Sequence, residues 1–172
     1  PNNLLYFDYY QTKEVDREPF AIGGYNPIEN VYAYDPLAKI PAESQKYIIG
    51  VQANIWTEYI HTTDHIEHMA LPRMSALAEV QWSDPEQKDY DRFLVRLQPM
   101  LDRYRALGYN YAPYVLDVVA DLSPAKGERA LRATLTTLDG APIHYTLDGS
   151  DPTPRSPQYS SEGVIINKTA TL

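Results

Sequence analysis

The chain has 172 residues, 44% of them hydrophobic and 22% charged, with a net charge of −8. That size suits one large domain or a domain and a half, and a complete fold of this length hides roughly 70% of its extended surface. The acidic balance, without a Lys/Arg run, argues against nucleic acid as a partner. The lack of cysteine excludes disulfides and thiolate metal sites. No stretch approaches the ~20 apolar residues of a membrane span.

The chain opens PNNLLYFDYY, without a basic leader or an initiating Met, and reads as a piece of a longer polypeptide. Leu4–Tyr9 is a short apolar and aromatic run expected to form a buried strand. Residues 10–46 carry Gly23, Gly24, Pro27, Pro36 and Pro41 without a sustained period, and are expected to form a long connection of the kind that carries function. Tyr47–Trp56 (YIIGVQANIW) barely alternates, which predicts a parallel strand covered on both faces.

Helices are expected next. Asp64 and Glu67 make a capping-box pattern ahead of His68, Met69 and Leu71. Pro72 breaks the helix, and PRMSALAEV restarts it. Ser83 and Glu86 form a second capping box, with Pro85 in the first turn. From Tyr90 to Leu107, apolar residues at three- and four-residue spacings mark an amphipathic helix closed by Gly108. Pro99 is expected to kink it.

After Tyr114 the pattern turns to short strands: residues 115–128 as a strand and linker, then RALRATL, IHYTL and GVIIN. TLDG occurs at 137–140 and again at 146–149, each with the Asp-Gly pair of a tight turn. This order predicts the α/β class. The C-terminal strands and helices of an incomplete TIM (β/α)8 barrel occupy residues 1–118, followed by an incomplete, small, all-β, sandwich-like domain over 119–172.

Active sites of such barrels gather at the C-terminal ends of strands. Both predicted strands of the first part end in an aromatic and a carboxylate two residues apart, Tyr6 with Asp8 and Trp56 with Glu58, so each pair shares a strand face. An indole can stack on a pyranose while a carboxylate takes hydroxyl hydrogen bonds worth ~1.5–3 kcal/mol each. The same residues suit a core-packed Trp56 and a Glu58 that caps the next helix or faces solvent. Fifteen tyrosines also fit sugar or peptide recognition, or half-buried packing.

HTTDHIEH places His61, His65 and His68 where one helix face could align them near Glu67, as zinc ligands are. It lacks the H-E-x-x-H order, and a solvated face with a capping His accounts for it. Asp148 and Asp151 could offer oxygens to Ca²⁺, but Asx-turn capping accounts for them. No metal or other cofactor is expected.

YFDYYQ, GVQANIWTEYI and HMALPRMSALAEVQWS closely resemble the last two strands and final helices of family 20 glycoside hydrolases, the β-N-acetylhexosaminidases and chitobiases. VYAYDPLAKIP is similar to their connecting loop, so the resemblance covers residues 4–112. IHYTLDGSDPTPRSPQY resembles the β domain that follows the barrel in bacterial chitobiases. The resemblance implies a retaining exo-β-N-acetylhexosaminidase that removes terminal β-linked GlcNAc or GalNAc with help from the substrate's own acetamido group. It gives Tyr6 the acetamido carbonyl oxygen, Asp8 and Glu58 the 4- and 6-hydroxyls, and Trp56 one wall of the terminal-sugar pocket. It also implies N-acetylhexosamine-terminated glycans as partners and an exported bacterial enzyme. The family's adjacent Asp-Glu catalytic pair has no candidate here, so this chain alone is expected to be inactive. The alternative is a non-catalytic carbohydrate-binding or adhesion module. Two barrel strands without their neighbours leave edges open, which predicts self-association.

Overall fold

The computed structural model describes residues 3–127 and 129–172, which divide into two compact units, Pro1–Val115 and Leu116–Leu172. The first unit is helical around a short parallel contact. A 3-10 turn at Asn3–Leu5 leads into Tyr6, which pairs with Asn54 in a single parallel bridge. Its two bonds run from Phe7 N to Asn54 O (2.7 Å) and from Asn54 N to Leu5 O (2.9 Å). Neither Leu4–Tyr9 nor Tyr47–Trp56 therefore becomes a regular strand. Most backbone carbonyls of the first run go instead to side chains. The Asn26 amide nitrogen donates to Leu4 O (3.0 Å) and Tyr6 O (3.1 Å), and Arg73 reaches the carbonyls of Phe7 and Tyr9. Buried backbone carbonyls call for donors, and here side chains replace a ladder.

The second run also departs from the expected two-sided burial. Tyr47, Ile48 and Ile49 are exposed, Ile49 completely so. The missing alternation at 47–56 records an apolar segment, not one covered on both faces.

The connection at 10–46 is more ordered than its composition suggests. It contains a 3-10 turn at Val15–Arg17, helix α1 at Ile28–Ala33 and helix α2 at Ala42–Gln45. Ile28, Val31 and Tyr32 lie three and four residues apart and bury one stripe of α1, a signal too short to stand out as periodicity.

Helices α3 (Thr63–Ala70) and α4 (Arg73–Trp82) meet at Pro72, as the proline predicts. The cap of α3 is Thr62, whose hydroxyl accepts from His65 N at 3.2 Å. Asp64 sits inside the first turn, where its charge suits the helix dipole, and Glu67 takes the Asn110 amide (2.8 Å) instead of closing a capping box. At the next start Asp84, not Ser83, caps the 3-10 turn Pro85–Gln87 by accepting from Glu86 N (3.0 Å).

Asp89 then caps helix α5, Tyr90–Leu107, by accepting from Arg92 N at 3.0 Å, and Gly108 closes it at φ 77°. Phe93, Leu97 and Leu101 bury its apolar stripe, whereas Leu107 at the end of that stripe is exposed. Pro99 stands inside the helix. Helix α1 packs on α4, and its Tyr32 also reaches α5, stacking on Phe93 (4.8 Å, 24°) with its hydroxyl accepting from Asp89 N at 2.8 Å.

The second unit is a three-stranded antiparallel sheet in the order β1 (Val119–Pro124), β2 (Leu131–Thr136), β3 (Val164–Ile166). Val119 pairs with Thr136, and Ala133 with Val164. Ala133 and Leu135 point into a small core with Val164, while Arg132, Thr134 and Thr136 face solvent, the half-buried alternation of RALRATL. The expected strand IHYTL is reduced to one bridge, His144 with Gln158. Its partner segment is interrupted by Pro152, Pro154 and Pro157, which have no N–H to give a ladder. Both TLDG sequences turn at glycines with positive φ, Gly140 (67°) and Gly149 (78°).

Candidate functional site

The parallel bridge sets the site. Because Tyr6 lies beside Asn54, the residues that follow on each segment, Asp8 on one and Trp56 and Glu58 on the other, are carried to the same end. Asp8 is buried, at 5% exposure, and its Oδ1 has no hydrogen-bond partner among the described residues. Burial raises its pKa above the ordinary 3.8. Its own amide, the Trp56 amide and the Arg73 cation oppose that, while the Glu58 charge adds to it. Asp8, the Trp56 backbone and Glu58 are thus within electrostatic reach of one another.

Trp56 presents 55% of its surface to solvent, and Glu58 is also exposed. Trp56 is therefore not packed in the core, and Glu58 faces solvent instead of capping the next helix, whose cap is Thr62. Tyr6 is half-buried, and its ring stacks on Tyr9 with centroids 5.5 Å apart and planes 17° apart. That ring stack fixes the plane of Tyr6.

The chemical content is an exposed indole beside a buried carboxylate with one oxygen to spare and a second carboxylate nearby. An unpartnered buried carboxylate oxygen costs roughly 1–3 kcal/mol or more. A polyhydroxylated ligand could meet that demand with a hydroxyl donor while its apolar ring face covers the indole.

Two residues behind the site carry no signal in the sequence pattern. Asn26 and Arg73, both fully buried, hold the carbonyls around Asp8. A polar residue before a proline and an arginine after one look like turn and helix-start punctuation, and only a buried position reveals more.

Of the three histidines, His61 is exposed as on a solvated face and His65 is half-buried, whereas His68 departs from that reading. His68 is buried, with Nε2 3.5 Å from Glu18 Oε2 and 3.5 Å from the Tyr114 hydroxyl. The Glu18 side chain is fully buried and accepts from the Gln11 and Thr12 amides. His65 has its pKa lowered by burial and then by His68 and His61. Among the described residues no group of three or more His, Asp or Glu is arranged to hold a metal. Asp148 Oδ1 accepts from Ser150 N (3.0 Å) and Ser150 Oγ (2.6 Å), the Asx-turn arrangement. No helix of the described residues is long and apolar enough to cross a membrane.

Comparison with known proteins matches this chain to glycosyl hydrolases. Residues 1–85 match the family description "Glycosyl hydrolase family 20, catalytic domain", and residues 124–172 match "Chitobiase/beta-hexosaminidase C-terminal domain". A β-hexosaminidase of Porphyromonas gingivalis is 38% identical over 164 residues, which is 91% of this chain and 20% of that protein. A β-N-acetylhexosaminidase of Cellulomonas fimi is 30% identical over 113 residues, 64% of this chain and 22% of its own.

Among solved structures, the Vibrio harveyi family 20 exo-β-N-acetylglucosaminidase in complex with N-acetylglucosamine superposes with a TM-score of 0.55 at 32% identity, over 64% of this chain and 18% of that one. The Streptomyces coelicolor A3(2) family 20 β-N-acetylhexosaminidase gives a TM-score of 0.55 at 32% identity, over 62% and 22%. The chain therefore belongs to glycoside hydrolase family 20, and it spans about a fifth of the length of the curated relatives it matches.

Proposed function

We propose that this chain supplies the terminal-sugar subsite of a retaining exo-β-N-acetylhexosaminidase that releases β-linked GlcNAc or GalNAc by acetamido-assisted catalysis. On this reading Tyr6 holds the acetamido carbonyl oxygen, Asp8 and Glu58 take the outer hydroxyls, and Trp56 forms a wall against the ring. Residues 1–118 are then the C-terminal part of a (β/α)8 barrel, with the segments around Tyr6 and Asn54 as neighbouring barrel strands, and residues 119–172 belong to the β domain that follows. The observation that carries the reading is the buried Asp8 Oδ1, without a partner among the described residues, beside an exposed indole.

The chain contains no adjacent Asp-Glu pair to act as acetamido-steadying residue and proton donor. Retention by acetamido participation needs both, because the leaving oxygen must be protonated as the acetamido oxygen attacks. The chain alone is thus expected to bind the sugar without cleaving it. The test is a titration of the 172-residue chain with N-acetylglucosamine, followed by Trp fluorescence and amide chemical shifts. Saturable shifts at Trp56 and Asp8, lost in Trp56→Ala, are expected, together with no release of aryl alcohol from an aryl N-acetyl-β-glucosaminide. Sugar-induced shifts confined to other residues would remove the subsite assignment.

A further inference from the structure

The backbone on both sides of Asp8 is held by one side chain. Arg73 Nη1 donates to Tyr9 O (3.1 Å) and to Asn26 O (2.9 Å), and Nη2 donates to Phe7 O. Nε donates to Met69 O (3.1 Å), a carbonyl at the last turn of α3 that has no partner within that helix. The guanidinium also lies over the Phe7 ring, 4.9 Å from its centroid. Phe7 and Tyr9 are the two neighbours of Asp8 in the chain, so one fork grips the carbonyls before and after the candidate ligand-binding carboxylate.

Arg73 is fully buried. Removing a cation from water costs several kcal/mol, a penalty that a fold tolerates only with paired charge and good hydrogen bonds. Both are present. Burial pulls the Arg73 pKa down to about 9, and the Glu18 and Asp8 carboxylates oppose that fall, so the group is a cation at neutral pH. Four carbonyls on three separate segments need a planar fork with five donors. A lysine has three donors on a single atom and cannot span them.

We propose that Arg73 is the positioning residue of the sugar subsite: by clamping the carbonyls that flank Asp8, it sets the direction in which the free Asp8 oxygen points. The proposal rests on the subsite reading above and assigns to a residue outside the pocket the geometry that the pocket uses. Two charged groups face Asp8, Arg73 favouring its ionised form and Glu58 opposing it.

The experiment uses the 172-residue chain, Arg73→Lys and Arg73→Met, with two readouts: the ¹³C titration of the Asp8 carboxyl and the affinity for N-acetylglucosamine. Arg73→Lys keeps the charge and loses part of the fork. Its Asp8 midpoint is expected to stay near the wild-type value while sugar affinity falls about tenfold, the worth of one hydrogen bond to a charged group. Arg73→Met removes the cation, and its Asp8 midpoint is expected to rise.

A purely structural role would leave sugar affinity unchanged in a folded Arg73→Lys, while the Asp8 midpoint in Arg73→Met reports whether the cation acts on the carboxylate. The proposal is overturned if Arg73→Lys binds the sugar as tightly as wild type, or if folded Arg73→Met titrates Asp8 unchanged. Should Arg73→Met fail to fold, the lysine variant decides. If Asp8→Asn leaves N-acetylglucosamine binding intact, the subsite reading fails while the Arg73–Asp8 coupling stands on the titration alone.

Discussion

Asn26→Ala tests how the candidate site is built. Asn26 is fully buried, and its amide nitrogen donates to Leu4 O at 3.0 Å and Tyr6 O at 3.1 Å. Its backbone also takes part, with N donating to Tyr10 O (2.8 Å) and O accepting from Arg73, and both of those survive truncation. The change thus removes two side-chain hydrogen bonds, worth about 1 kcal/mol each, and takes the Asn26 donor away from Tyr6 O. Leu4 and Tyr6 are only half-buried, so water can reach part of the gap and the desolvation penalty is reduced. The expected loss is about 2–3 kcal/mol in urea denaturation, accompanied by amide shift changes at Leu5–Asp8 and Asn54.

Asn26→Asp sharpens the test, because it keeps the shape and replaces the donor with acceptor oxygens facing two carbonyls. It is expected to destabilise more than alanine, since it also places a charge in a buried position. A loss below about 1 kcal/mol for alanine, or aspartate tolerated better than alanine, would refute the view that side chains stand in for a strand ladder here.

Three further outcomes are expected. Asp8 has a raised pKa in the folded chain, so its ionisation opposes folding; this penalty is absent below about pH 3.8, grows as pH climbs through the folded value and is complete above it. Asp8→Asn should therefore be more stable than wild type at neutral pH, with the difference closing in acid, while N-acetylglucosamine affinity falls about tenfold or more; equal denaturation midpoints from pH 3 to 8 would contradict this. Leu97→Ala removes a core residue at 2% exposure and should cost about 3 kcal/mol in chemical denaturation without altering the amide shifts of the Tyr6–Asp8 segment. The exposed run Tyr47–Ile49, beside a lone bridge, should make the chain self-associate, so light scattering at micromolar concentration is expected to give a mass above one chain, and a strictly monomeric mass would count against it.

Local signals in the sequence carried over into structure where the physics is local. The stripe of α5 and its glycine cap, the break at Pro72, the alternation of β2 and the two Asp-Gly turns each depend on residues a few positions apart. YFDYYQ, WTEYI and ALPRMSALAEVQW likewise sufficed to identify the family, because they are short strings in a specific order. The caps were less legible. Thr62, Asp84 and Asp89 were all available to accept a first-turn N–H, but neighbouring Ser, Thr and Asp residues offer the same chemistry, and only the backbone angle at each position decides which one does so.

Tertiary structure alone decided how the site is held. Phe7 and Tyr9 lie 66 and 64 residues from Arg73, and no periodicity or propensity links an arginine to carbonyls at that distance. The burial of His68 against Glu18, and the exposure of Trp56 and Ile49, were equally invisible, because burial depends on which segments meet. Sequence by itself determined which side chains could recognise a sugar and which helices would form, since these follow from chemistry and short-range geometry. The meeting of two distant segments at Asn54, and the buried cation behind Asp8, required the fold, since charge compensation and backbone satisfaction are settled only once water has been excluded.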